Sequence, residues 1–176
     1  QNGNIAYEIC RPIEIYNMWF ARSVATRLSR AVLRCMPILL VAAFLPAPYG
    51  VGNPSSASAL ICTVFTMLFS LFVVVAIGML IYLLTFFTLS SAGIRMVASS
   101  LMGLLQGEIL PIPFFPNGLR QVMELLPFAA VQNVPFRVYS GDLSGASLYR
   151  AMLLQVFWLT VLVLLGKWLA RKAVKK

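Results

Sequence analysis

The sequence has no histidine and only five carboxylates, Glu8, Glu14, Glu108, Glu124 and Asp142, in 176 residues. Metal hydrolysis and nucleophilic triads need histidine, paired carboxylates or cysteines at ligand spacing, and none of these is present. Three cysteines, Cys10, Cys35 and Cys62, are scattered, and the topology below puts two of them in the cytoplasm or the membrane, where structural disulfides are not expected. A glycine-rich phosphate loop is also missing, so any energy from ATP must come from another chain or another part of this one. Charge is scarce as a whole. Only 11% of residues are charged, against about 25% in soluble domains. With 60% hydrophobic residues and a mean hydropathy of +0.87, the chain has more apolar surface than a soluble fold of this size can bury. Lipid is the solvent that suits it.

The charges that exist are placed unevenly. Between Arg34 and Arg95 there is no Asp, Glu, Lys or Arg, a gap far longer than one crossing of a hydrocarbon core about 30 Å thick. The chain must fold back within it, and the prolines and glycines of Leu45 to Pro54 mark the break. Arg11, Arg22, Arg27, Arg30 and Arg34 precede the first apolar run, and Lys167, Arg171, Lys172, Lys175 and Lys176 follow the last. Basic residues bracketing an apolar region mark cytoplasmic flanks, which accounts for the net charge of +9 without nucleic acid. Both ends then face the cytoplasm and the crossings are even in number.

The expected fold is all-α, a polytopic transmembrane helical bundle. Residues 1–30 read as a cytoplasmic segment, with an amphipathic helix over Ile13 to Arg34 whose arginines meet lipid phosphates. Residues 31–110 hold three crossings: about Ala31–Leu45 with a kink at Pro37, Ala57–Phe87 after a Ser55-Ser56 cap, and Ile94–Leu110 after a tight turn at Ser90–Gly93. Gly103 and Gly107 in the third are small residues four apart, which permit close helix contact. Residues 111–145 are cut by Pro111, Pro113, Pro116, Pro127 and Pro135 into pieces too short to cross. Two of them, about Asn117–Leu126 and Pro127–Tyr139, form a short outer re-entrant or interfacial helical pair, and Ser140 to Ser144 is a turn. Residues 146–166 are the fourth crossing and 167–176 the basic tail.

Glu108, beside Gly107 and near the end of the third crossing, is the carboxylate that stands out. An acid at membrane depth is a functional suspect, and at headgroup level it is a solvated helix end. Arg95 reads as an anchor at the cytoplasmic turn. Trp158, Trp168, Tyr49, Tyr139 and Tyr149 read as interfacial belts.

Two stretches resemble a known family. Gly3, Ile5, Glu8, Ile9 and Pro12 follow a pattern like Gly-x-Leu-x-x-Glu-Leu-x-x-Pro, found in the cytoplasmic loop after the second membrane helix of ABC-2 type permeases, the membrane subunits of ATP-binding-cassette exporters. The second stretch is Gly107-Glu-Ile-Leu-Pro111-Ile-Pro-Phe-Phe115-Pro116, then Leu126-Pro127-Phe128, Pro135, Gly141 and Gln155-Val-Phe-Trp158. It resembles the last third of a bacterial subfamily of these permeases. The resemblance implies six membrane helices in the full subunit, of which four are in this fragment, the first two being absent before the opening Gln1. It implies a second permease subunit, homo- or heterodimeric, and a separate ATPase carrying the ATP and Mg, with no cofactor or metal in this chain. Gly3, Ile5, Glu8, Ile9, Arg11 and Pro12 would form the ATPase-coupling loop. Glu108, Pro111, Pro113, Phe115, Pro116, Pro127 and Phe128 would form an outer gate. The implied setting is the bacterial inner membrane, with lipids as the other partners. An ATPase-independent transporter or channel, and a non-transporting membrane scaffold, are the alternative readings; the first expects intramembrane charges along its path, which this sequence scarcely has.

Overall fold

The computed structural model describes residues 15–45, 56–85, 91–110 and 112–174. The expected coupling residues Gly3, Ile5, Glu8, Ile9, Arg11 and Pro12, the loop around Pro46–Pro54, and Pro111 lie outside the described residues. Every regular element described is helical: α1 (Ile15–Phe44), α2 (Ala57–Thr85), α3 (Ser91–Leu105), a single 3-10 turn (Ile112–Phe114), α4 (Asn117–Leu125), α5 (Ala129–Tyr139) and α6 (Ala146–Val174).

The central element is α2. It has neither charge nor proline along its 29 residues, so nothing interrupts the helical ladder. Ser56 caps it, its Oγ accepting the Ala59 N–H at 3.1 Å. One face carries Thr63, Thr66 and Ser70, all buried. Their hydroxyls donate back to the carbonyls of Ala59 at 2.8 Å, Thr63 at 2.9 Å and Thr66 at 2.7 Å, so that polar atoms on an apolar face are satisfied within the helix.

Around α2 the other helices fall into an ordered set. Helix α6 runs beside it in the same direction: Gln155 meets Thr66 and Ser70, Leu162 packs with Val73, Ala76 and Ile77, and Leu169 packs with Val75, Met79 and Leu83. The first turns of α1 close the far end, where Tyr16 joins Val75, Met79 and Leu83, flanked by Trp19, Phe20 and Val24. The start of α1 and the ends of α2 and α6 therefore share one end of the molecule. Short helices α4 and α5 cover the opposite half.

Some expected boundaries move. The amphipathic helix and the first crossing are one helix, α1, with Pro37 inside it; proline only removes the bond to the carbonyl four residues earlier, here that of Leu33. Helix α3 already includes Ser91, Ala92 and Gly93 and ends at Leu105, five residues before the expected end. Helix α6 continues through its basic last turn, Arg171 and Lys172, whose charges complement the helix C-terminus.

Two helices, α2 and α6, are long and apolar enough to cross a membrane; α3 is apolar but shorter. Only 39% of the apolar stretch of α2 and 11% of that of α6 is buried within the chain. Core helices of a soluble protein would be mostly covered, so this surface is built to face lipid or other membrane helices. The second half of α1 adds to it, with Leu33, Met36, Ile38, Leu40 and Phe44 all exposed.

The contact between α1 and α6 is tight at one point. A Cβ placed on Gly166 would lie 2.5 Å from the Tyr16 hydroxyl and 2.7–2.8 Å from its ring. That hydroxyl is buried and has no hydrogen-bond partner among the described residues. Gly166→Ala is therefore expected to lower stability in detergent by about 1–3 kcal/mol through overpacking, read as a drop in melting temperature. Tyr16→Phe, which discards an unpaired hydroxyl, is expected to be neutral or stabilising and to soften the Gly166→Ala loss.

Candidate functional site

The proline-broken segment after α3 is positioned by a sequence of local devices. Helix α3 ends in a left-handed glycine, Gly107, at φ +84°. The Gly107 N–H reaches the Leu104 carbonyl at 3.3 Å and the Glu108 N–H reaches the Gly103 carbonyl at 3.1 Å, the paired bonds of a Schellman ending. The small residues expected to admit a neighbouring helix thus have another task. Gly107 supplies the positive φ, and Gly103 is buried under the side chains of Glu108 and Ile109 in its own turn.

Beyond the turn, the chain is folded onto a small apolar cluster. Ile112, Met123 and Ala129 are buried together, with Leu105 and Phe115 against them. Pro113 is the middle residue of the 3-10 turn and Pro116 stands at the start of α4, where a missing N–H costs nothing. Pro127 is buried between α4 and α5. Next to it, Phe128 packs on Val73, Ala76, Ile77 and Leu162, near the middle of both long helices. The tip of the α4–α5 hairpin therefore reaches halfway along α2 and α6. The expected pair of short helices is present within two residues of its expected limits.

Two residues of α6 hold that tip. Gln155 is fully buried, and the two hydrogens of its Nε2 are shared among three acceptors, the Ala130 carbonyl at 2.8 Å, Ser70 Oγ at 3.1 Å and the Thr66 carbonyl at 3.3 Å. Ser70 Oγ also lies 2.8 Å from the Ala130 carbonyl, to which it can donate. Three residues on, Trp158 Nε1 donates to the Leu125 carbonyl at 2.8 Å. Spaced three apart, both side chains leave the same face of α6 and satisfy backbone carbonyls on either side of Pro127. Gln155 Oε1 is the one atom of the group with no partner among the described residues. Turning the amide over would set this oxygen against two carbonyl oxygens, so the observed orientation is the better one.

The other end of the hairpin is held by charge. Glu124 Oε1 accepts from Arg120 Nε and from an Arg137 terminal nitrogen, both at 3.0 Å, and Arg137 Nε also pairs with Asp142. The turn after α5 uses Gly141 at φ +82°. These carboxylates are partly exposed, so each pair is worth about 1 kcal/mol or less.

Of the expected gate residues, the structure brings Phe115, Pro116, Pro127 and Phe128 into this one assembly. Glu108 sits apart: it is exposed at the end of α3. Sequence reasoning did not see that Gln155 and Trp158 are the clamp. Their spacing on one helix face was the available signal, but the acceptors are main-chain carbonyls that no side-chain pattern reveals.

Replacing Gln155 by Leu removes both donor hydrogens of a buried amide. It is expected to cost about 1–2 kcal/mol, the scale of polar contacts in membrane proteins, and to raise protease sensitivity of the Pro111–Tyr139 segment. A double-mutant cycle with Ser70→Ala should show coupling of about 0.5 kcal/mol or more; additive effects would mean that the two side chains do not share the Ala130 carbonyl.

Comparison with known proteins places this architecture. No curated protein and no solved structure gives a match. The family described as ABC-2 family transporter protein matches residues 1–176. The chain belongs to that family, the membrane permeases of ATP-binding-cassette transporters.

Proposed function

We propose that this chain is the membrane part of an exporter driven by a separate ATPase subunit, and that the α4–α5 hairpin is its outer gate. The family match over the whole chain carries the reading. The hairpin tip at the middle of α2 and α6 supports the second half, because an element that deep can obstruct or open a path between the helices.

In this reading α1, α2, α3 and α6 are four crossings. The shared end of α1, α2 and α6 faces the cytoplasm, because the basic last turn of α6, Arg171 and Lys172, and Arg22 in the second turn of α1 lie there. The membrane is the bacterial inner membrane, and the subunit works as one of two permeases. Gly3, Ile5, Glu8, Ile9, Arg11 and Pro12 dock on the ATPase, with Glu8 and Arg11 as the polar contacts. ATP and Mg reside on that partner. Glu108, Pro111, Pro113, Phe115, Pro116, Pro127 and Phe128 line or shape the gate. Work reaches the membrane only if the ATPase grips the coupling segment differently in its nucleotide-bound and free states.

Co-expression of the full transporter tests this directly. Glu8→Arg reverses the charge of the expected contact, and Pro12→Ala loosens the segment. Both should reduce co-purification of the ATPase and the stimulation of its hydrolysis by the permease, Glu8→Arg by about tenfold. Normal assembly and normal stimulation in both variants would sink the coupling assignment.

A further inference from the structure

A cleft of about 360 Å³ opens between the hairpin and the first turns of α6. Its floor is apolar, with Ala130, Ala151 and Leu154, and its rim carries Glu124, Arg137, Asn133 and Arg150. The charges of the rim do not cancel. Glu124 is shared by Arg120 and Arg137, and Asp142 is taken by Arg137. Among the described residues, that leaves Arg150 with no carboxylate partner and the Asn133 amide with no side-chain hydrogen bond. A guanidinium and an amide donor facing one cleft are a receptor for an oxyanion.

The depth of Arg150 adds a second argument. No charge occurs between Arg150 and Lys167 on α6. Their separation of 17 residues is about 25 Å of helix, close to the thickness of a hydrocarbon core. With the basic tail at one interface, Arg150 stands at the headgroup level of the other. The apolar floor below it runs toward the middle of the helices, where Leu154 precedes the buried Gln155.

We propose that this cleft binds the anionic headgroup of an amphiphile, with its phosphate or carboxylate on Arg150 and Asn133 and its chain along Ala130, Ala151 and Leu154. Arg137 is neutralised and held in place by its two carboxylates. The site goes beyond the permease reading and does not depend on ATP-driven coupling.

The full-length protein in neutral detergent can be titrated with short-chain phosphatidylglycerol, with phosphatidylcholine of the same chain length and with inorganic phosphate, occupancy being read by native mass spectrometry. Preferential binding of phosphatidylglycerol is expected. Arg150→Gln should weaken it about tenfold or more, Arg150→Lys should retain part of it, and Lys172→Gln at the other end of α6 should leave it unchanged. Binding of inorganic phosphate that Arg150→Gln abolishes would identify a free anion as the source; dependence on an attached chain would identify lipid. Equal binding of the two lipids, or phosphatidylglycerol binding that survives Arg150→Gln, overturns the proposal. Because no ATPase enters the assay, its outcome is separate from that of the coupling variants.

Discussion

The amide of Gln155 is the interaction on which the hairpin depends. In an apolar interior an unpaired backbone carbonyl costs on the order of a few kcal/mol, and a chain broken by proline exposes several. Helix α2 avoids the problem through its unbroken ladder, and Thr63 and Thr66 satisfy their own hydroxyls on its carbonyls. Helix α5 contains Pro135, which has no N–H to give to the carbonyl four residues earlier. Gln155 and Ser70 reach its Ala130 carbonyl from two different helices, and Trp158 reaches the Leu125 carbonyl at the end of α4. The irregular backbone at Pro127 is tolerated at this depth because other helices complete its hydrogen bonding.

The two ends of the hairpin are held by forces of different kinds, and that difference bears on how it can move. The buried end combines hydrogen bonds in a low-dielectric setting with the packing of Phe128 against Val73, Ala76, Ile77 and Leu162. The outer end is a network of arginines and carboxylates, partly exposed and screened by salt. A displacement that keeps the Gln155 contacts and exchanges ion pairs is cheaper than one that withdraws the tip. If the hairpin is the proposed gate, opening by tilting about the tip is thus favoured over opening by extraction. Gln155 Oε1, which has no partner among the described residues, adds a penalty of about 1–3 kcal/mol to this arrangement and none to one in which it finds a donor.

Much of this was legible in the sequence, for reasons that can be named. The uncharged runs expose the apolar lengths of α2 and α6, and neither helix contains a proline to break it. The prolines at 116 and 127 bound the short helices to within two residues, since each removes an N–H at a definite place, whereas Pro135, expected to cut the segment, lies inside α5 and leaves it continuous. What escaped was the continuity of α1. The composition changes near Ala31 from arginine-bearing to apolar, but backbone hydrogen bonding is indifferent to that change and the helix runs on. Gly103 and Gly107 have the spacing of a helix-contact motif, yet the φ of +84° at Gly107 makes a helix ending, and spacing alone does not separate the two uses. Gln155 and Trp158 belong to a recognisable pattern, while their partners are carbonyls, which every residue has.

The apolar cluster at the far end connects these parts. Tyr16 lies four positions after Pro12, the last residue of the expected coupling segment, and is wedged against Gly166 of α6 and against Val75, Met79 and Leu83 of α2. Gly166 leaves the ring no room to slide past α6 without displacing it, and close-packed interiors transmit such displacements rather than absorb them. Helices α2 and α6 run from this wedge, side by side and in one direction, to Ser70 and Gln155, the two residues that grip the hairpin. A shift of the two helices together would carry the tip with them; a shift of one relative to the other would break either the Ser70 or the Gln155 contact to Ala130. Because Tyr16 touches both helices beyond the gripping pair, with Ser70 5–13 residues back on α2 and Gln155 11 residues back on α6, a rotation of α1 would act on the relative position of α2 and α6. That is the motion to which the shared Ala130 carbonyl is sensitive, and in the proposed coupling it is where a second arrangement would have to differ from this one.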